Sequence, residues 1–214
     1  MVHRLHHERI YRGSDVMEKL ANASICVCGV GALGSNLVVN LARIGFGKFT
    51  LIDRDRVEEQ NIGTQVYSLD DVGGQKAEIL RNMVYRELGL DAQAHCQDLQ
   101  DRNVAKLLQG QQLVVDTFDN SYSRRLLTEY CRDNNINCLH AGVNNEYGEV
   151  TWNDIYKVPS EVGEDVCDYP LTRNLIMLVT SVASEALIRF IVSGKKENYS
   201  ITMGDLSINR ETGT

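Results

Sequence analysis

The glycines of Gly29-Val30-Gly31-Ala32-Leu33-Gly34 are spaced to hold a phosphate. They follow an apolar run of β-formers, Ser24-Ile-Cys-Val-Cys28, and open an apolar-periodic segment that reaches Ile44. The order is strand, tight turn, helix. Gly29 permits the turn, Gly31 lets the backbone approach a phosphate, and Gly34 lets helix and strand pack closely. The helix N-terminus adds free N–H groups and a partial positive charge. A second strand, Phe49-Thr-Leu-Ile-Asp53, ends in an acid about 20 residues further on, where a carboxylate can take both hydroxyls of a ribose. These residues alone describe a nucleotide binder, and a nicotinamide dehydrogenase satisfies them as well as anything else.

Further polar residues narrow the chemistry. Lys76 opens a helix, where its charge opposes the dipole, a small local cost with no obvious structural gain; the plain reading is a solvated surface lysine. Asp119 and Asn120 precede another helix, and both types cap well. The plain reading of this pair is an N-cap. Asp55 stands near the nucleotide without a defined role. His140 lies inside an apolar strand and reads as a satisfied core histidine.

Taken in order, Asp53-Arg-Asp55-Arg-Val57, Asn61 to Gln65, Val72-Gly-Gly-Gln-Lys76, Asp116-Thr-Phe-Asp119-Asn120 and His140-Ala-Gly142 resemble the ThiF/MoeB/HesA superfamily, whose adenylation domain is shared with the ubiquitin-activating enzymes. Each motif is weak alone; their order and spacing are specific. The resemblance runs from Ile10 to Asn209 and implies ATP-dependent adenylation of a carboxylate with loss of pyrophosphate. The implied partner is a small ubiquitin-like or sulfur-carrier protein ending in Gly-Gly. The implied cofactor is Mg²⁺ on Asp119, with Asn120 left to cap the helix and Asp116 as the alternative metal residue. Implied nucleotide contacts are Gly29, Gly31, Ala32, Leu33, Gly34, Asp53, Asp55, Asn61, Gln65 and Lys76. Lys76, Asn61 and Asp119 are the implied catalytic groups within the chain.

One departure matters. Family members carry an arginine that touches the phosphates where this chain has Thr64, and removing a charge from such a clamp is worth several kcal/mol. Arg54, Arg56 or an arginine from a second subunit can compensate. The family commonly forms homodimers in which an N-terminal arginine enters the neighbour's site. Of Arg4, Arg9 and Arg12, Arg9 is the first choice. Cys167 occupies the place of a cysteine that some members use for thioester or sulfur transfer, although Asp165 and Asp168 would raise its pKa. The paired C-x-x-C motifs of the family's structural zinc are absent, so no zinc is expected. The alternatives are a degenerate, non-catalytic nucleotide- or partner-binding member and a tRNA-modifying dehydratase of the same superfamily.

The supporting elements follow from periodicity. Helical spacing covers parts of residues 5–22, broken at Gly13, then Gly74–Leu88, Val104–Leu108, Ser121–Asn134 and Leu171–Val192. Strand patterns cover Ala92–Cys96, Leu113–Asp116, Ile136–Val143 and Gly148–Tyr156, with Tyr199–Met203 as the last strand. The alternation predicts one α/β domain over 1–214, a Rossmann-like, mostly parallel sheet flanked by helices and extended by antiparallel strands and a crossover loop. At 214 residues and 43% hydrophobic, the chain can bury a large core. A net charge of −7 argues against nucleic acid. No apolar run approaches a membrane span, and the N-terminus lacks a signal-peptide pattern, so a cytoplasmic protein with free thiols is expected. Five of the six cysteines fall in predicted strands or helices, where burial makes thiols inert; Cys167 does not.

Overall fold

The computed structural model describes residues 4–159 and 170–211. The described chain begins with α1 (His6–Arg12) and α2 (Ser14–Asn22), separated at Gly13. Then come β1 (Ser24–Cys28), α3 (Ala32–Ile44), β2 (Lys48–Ile52), α4 (Lys76–Leu88), β3 (Ala92–His95), α5 (Val104–Leu107), β4 (Leu113–Asp116) and α6 (Ser121–Asp133). The last part is β5 (Asn137–Asn144), β6 (Tyr147–Trp152), α7 (Arg173–Ser193), β7 (Asn198–Thr202) and β8 (Ser207–Glu211).

The strands form one sheet in the order β3-β2-β1-β4-β5-β6-β7-β8. The first five positions are parallel and the rest antiparallel. The chain order reverses between β1 and β4, and ligands of open α/β sheets bind at such a switch, beyond the strands' carboxyl ends. The glycine turn follows β1 and the Asp119 segment follows β4, so this topology sets them side by side.

Alternate residues of β1 serve opposite faces. Ile25 and Val27 join a core with α2, α3, α4 and α7, whereas Cys26 and Cys28 join a second core with α5 and α6. Cys131 and Cys138 lie in that second core, and all four thiols are buried. Burial pushes the Cys138 thiol up, and contact with Cys26 does the same for Cys28. Cys96 corrects the expectation for the remaining cysteine: it lies just past β3 and is only half-buried, although burial still raises its pKa.

Two other expectations are corrected. Tyr199–Met203 is not the last strand, because β8 pairs antiparallel with β7. Nor is the chain without a span-length apolar helix: α7 has 21 residues and a mean hydropathy of 2.0. Its length and apolarity serve the core, since Leu175, Val179, Ala183, Ala186 and Leu187 are buried in the core it shares with α3 and the sheet. Its centre bonds to α3 through Asn40 Nδ2, which donates to Ser184 Oγ at 2.8 Å.

Candidate active site

Gly29 takes φ +86°, a conformation that favours glycine, and a Cβ there would sit 2.9 Å from the Thr117 carbonyl oxygen. A Cβ on Gly34 would overlap the Gly29 carbonyl and crowd the Thr117 hydroxyl. Helix, turn and β4 exit are therefore packed backbone to backbone. Thr117 fastens them: its Oγ1 donates to the Gly29 carbonyl at 2.5 Å, and its N–H donates to the Cys28 carbonyl at 2.9 Å. Gly31 differs. A Cβ there would meet nothing closer than Gln65 Nε2 at 4.0 Å, which leaves space in front of the backbone.

Asp53, just beyond β2, is 6% exposed. Its Oδ2 accepts from Val30 N–H at 2.6 Å and its Oδ1 from Asp55 N–H at 2.7 Å. Burial raises its carboxyl above the ordinary range, and these two N–H groups and the Lys76 charge offset part of that rise. The carboxylate is thus tied to the glycine turn itself.

Residues 55–57 pair with 73–76 across a short antiparallel bridge, in which Lys76 N–H donates to the Asp55 carbonyl and Val57 N–H to the Gly74 carbonyl. This bridge brings the start of α4 back to Asp53. Lys76 is 7% exposed, which excludes the surface-lysine alternative, and its Nζ lies 3.3 Å from Asp55 Oδ2. Tyr67, which the sequence did not single out, is buried beneath this corner. Its hydroxyl donates to the Val30 carbonyl at 2.8 Å and lies 3.3 Å from that of Lys76.

The 61–65 segment lies against the first turn of α3, because Asn36 Nδ2 donates to the Thr64 carbonyl at 2.8 Å. Asn61 shapes this loop: its Oδ1 accepts from Glu58 N–H, and its carbonyl accepts from the N–H groups of Thr64 and Gln65. Gln65 is buried beside Gly31, and its Oε1 has no partner among the described residues. Thr64 turns its hydroxyl to the Asn61 carbonyl at 3.4 Å. Arg54 and Arg56 do not fill the place of the missing arginine in this arrangement. Arg54 is bonded to Asp98 and paired with Asp55, and Arg56 donates to the Gly73 carbonyl.

Beyond β4, Asn120 caps α6, its Oδ1 accepting from Ser123 N–H at 2.8 Å. Asp119 is exposed, and its carboxylate has no partner among the described residues. Asp116 is removed as the alternative metal residue, being fully buried and committed to His140 Nδ1 at 2.8 Å, the Phe118 N–H at 3.0 Å and Arg124 at 3.9 Å. Burial would raise its carboxyl, but the Arg124 charge and His140 outweigh burial and hold it below its ordinary value. His140 is the satisfied core histidine expected of it. Its Nε2 lies 2.9 Å from Asn153 Oδ1, and its ring stacks on Tyr156 at 3.6 Å. Arg124 and Tyr156 are not marked by any motif, because their partners are distant in the chain.

The glycine turn, Asp53, Asp55, Lys76, Gln65 and the Asp119 segment meet at one end of the sheet. Arg9 does not join them. Leu5 lies beside Gly45, which closes α3, and Arg4 donates to the Leu88 carbonyl at the end of α4, so α1 sits at the far ends of the helices whose starts build the site. Arg12 is paired with Glu8 and Glu185, whereas the Arg9 side chain is exposed and unpaired among the described residues. Cys167 lies outside the described residues.

Comparison with known proteins places this geometry. A sequence model described as the ThiF family matches residues 5–212. The tRNA threonylcarbamoyladenosine dehydratase of Escherichia coli (strain K12) is 35% identical over 138 residues, 63% of this chain and 51% of that protein. The SAMP-activating enzyme E1 of Haloferax volcanii is 32% identical over 144 residues, 65% of this chain and 52% of that protein. The chain thus spans about half the length of these curated relatives. The crystal structure of E. coli MccB with ATP superposes with a TM-score of 0.82 at 20% identity, covering 99% of this chain and 71% of that one, a likeness of fold.

Proposed function

The chain belongs to the ThiF family, and on that premise we propose that it is an adenylyltransferase that activates a carboxylate with ATP. The observation that carries this reading is Lys76. An ammonium buried at the start of a helix is opposed by the dipole, yet here it is brought beside the glycine turn by the 55–57/73–76 bridge. A polyphosphate in front of Gly31 gives that charge its purpose. Asp53 keeps lone pairs free on both oxygens for ribose hydroxyls while the Val30 and Asp55 N–H groups hold it in place. Gln65 borders the same space through its Nε2, and its buried Oε1 has no partner among the described residues.

In the reaction, a carboxylate oxygen attacks the α-phosphorus and the bond to pyrophosphate breaks, leaving an acyl-adenylate. The residues of the site position the two reactants and meet the charge that develops on the leaving group. Lys76 would turn from Asp55 to the phosphates. Asp119, an exposed carboxylate with free lone pairs, is the residue that would hold Mg²⁺, and the ion would supply neutralisation of phosphate charge. Within one chain the site carries Asp53, Asp55 and Asp119 against Lys76, with Arg54 turned to Asp98. That acidic balance suits both a divalent cation and an arginine supplied by a second subunit of a homodimer, for which Arg9 is the candidate.

We infer that the activated carboxylate is the Gly-Gly C-terminus of a ubiquitin-like or sulfur-carrier protein. The net charge of −7 is better suited to a protein partner than to the tRNA named for the bacterial relative. Cys167 would take part only in onward thioester or sulfur transfer. The test is ATP–pyrophosphate exchange with Mg²⁺, run with Gly-Gly carrier proteins, with tRNA and with neither. Exchange that needs a carrier supports the full reading. Exchange that needs tRNA replaces the substrate, and a larger thermal shift with NAD than with ATP and Mg²⁺ removes the adenylation reading.

A further inference from the structure

Behind the Asp119 segment lies a buried polar cluster that the proposed reaction does not use. It comprises Asp116, Arg124, His140, Asn153 and Tyr156, at most 9% exposed. A guanidinium in such a place carries a desolvation penalty that an apolar side chain of similar volume avoids. Arg124 meets it with directed bonds to three separate parts of the chain. Its Nε donates to the Phe118 carbonyl at 2.6 Å, its Nη2 to the Ala141 carbonyl at 3.1 Å and its Nη1 to the Tyr156 hydroxyl at 2.8 Å. The Phe118 residue is therefore gripped at both ends, its N–H by Asp116 and its carbonyl by Arg124. The next residue is Asp119.

Tyr156 closes the other side of the cluster. It lies in the turn after β6, its ring stacked on His140 with the planes 7° apart. Arg132 Nη2 donates to its carbonyl at 2.7 Å and to that of Asn153 at 3.0 Å. We propose that Arg124 and Tyr156 are positioning residues for Asp119, coupling the seat of the 153–156 turn to the backbone that presents the Asp119 carboxylate. When Tyr156 is seated, Arg124 is held flat against the Phe118 carbonyl. When it is not, the guanidinium loses one of its fixed partners and the Phe118–Asp119 peptide is released. The role of Asp119 rests on the proposed adenylation; the mechanical coupling does not.

Tyr156→Phe tests this, because it keeps the ring on His140 and removes only the hydroxyl. Amide hydrogen exchange and the Mg²⁺ dependence of ATP-induced thermal stabilisation are measured on the full chain. Expected is about a tenfold rise in exchange at residues 117–120 and about a tenfold rise in the Mg²⁺ concentration giving half the effect, the scale usual for groups that orient a metal ligand. Affinity for ATP without Mg²⁺ stays unchanged. Arg124→Lys, which keeps the charge but not the fork, shows the same pattern and serves if the first variant fails to fold. Faster exchange confined to 153–159, with 117–120 as in the wild type, overturns the proposal. A wild-type protein whose ATP binding ignores Mg²⁺, but whose 117–120 exchange still answers to Tyr156, upholds the coupling and removes the metal role of Asp119.

Discussion

Lys76 and Asp116 show how differently two buried charges are treated. The Lys76 ammonium is buried, but its partner Asp55 is half-exposed, so their ion pair contributes less than about 1 kcal/mol. Replacing Lys76 by Ala should therefore leave the unfolding midpoint nearly unchanged. Turnover in pyrophosphate exchange should fall by about 10²–10³-fold, the usual loss for one charge-stabilising donor. A large fall in stability with little loss of turnover would make Lys76 a structural residue. Asp116 is the reverse case. Both it and Arg124 are withdrawn from water, and Asp116→Asn leaves the guanidinium without its counter-charge, at about 3–5 kcal/mol in urea unfolding at pH 7. Its folded pKa is lowered, so its contribution is fully present above the unfolded carboxyl value and is lost as pH falls through the folded value. The gap between wild type and Asp116→Asn should accordingly narrow in acid. A gap that stays constant or widens on acidification would contradict the assigned pairing.

The elements that position these side chains differ in how plainly the sequence announces them. β1 and β4 are found at the expected residues because each is a short apolar run ended by glycine or acid, buried on both faces. α4 starts at Lys76 rather than at Gly74, because Gly73 and Gly74 belong to the bridge with Val57. β8 is illegible for a physical reason. Ser207–Glu211 is an edge strand of mostly exposed polar residues, so no buried face imprints an alternation on it, and its turn depends on Leu206 at φ +55°. The glycine motif and Asp53 were legible because they act through local backbone. The Arg124–Tyr156 contact was not, since it depends on where α6 and the turn after β6 meet. Gly34 gives the sharpest test at this scale. A methyl group there must push α3 away from the turn, since the obstacle is the Gly29 backbone and not a flexible side chain. Gly34→Ala should lower stability by about 3 kcal/mol or more and abolish ATP binding with it. Ordinary binding by a stable Gly34→Ala protein, seen by calorimetry, would show that the turn is not the phosphate site.

At the scale of the whole molecule, the question is where the cation missing at Thr64 comes from. Within one chain Arg9 cannot supply it. α3 has 13 residues and spans roughly 20 Å at 1.5 Å per residue, and α1 packs at its C-terminal end while the glycine turn is at its N-terminal end. Yet Arg9 is unpaired among the described residues, and its neighbours Ile10 and Tyr11 are 70% and 81% exposed. Such apolar side chains beside a free guanidinium suit an interface more than open solvent. If a two-fold dimer places each α1 over the other subunit's site, complementation follows from symmetry. Arg9→Ala and Asp119→Ala homodimers should each be nearly inactive in pyrophosphate exchange. Mixed and allowed to exchange subunits, about half the dimers become heterodimers, each with one site holding both residues intact, so activity should recover to about a quarter of wild type. If Arg9 acts within its own chain, or not at all, no site is restored and the mixture adds nothing to the separate variants. Dilution separates the two cases independently, because a site completed across an interface must lose turnover as the dimer dissociates, whereas one completed within the chain keeps it.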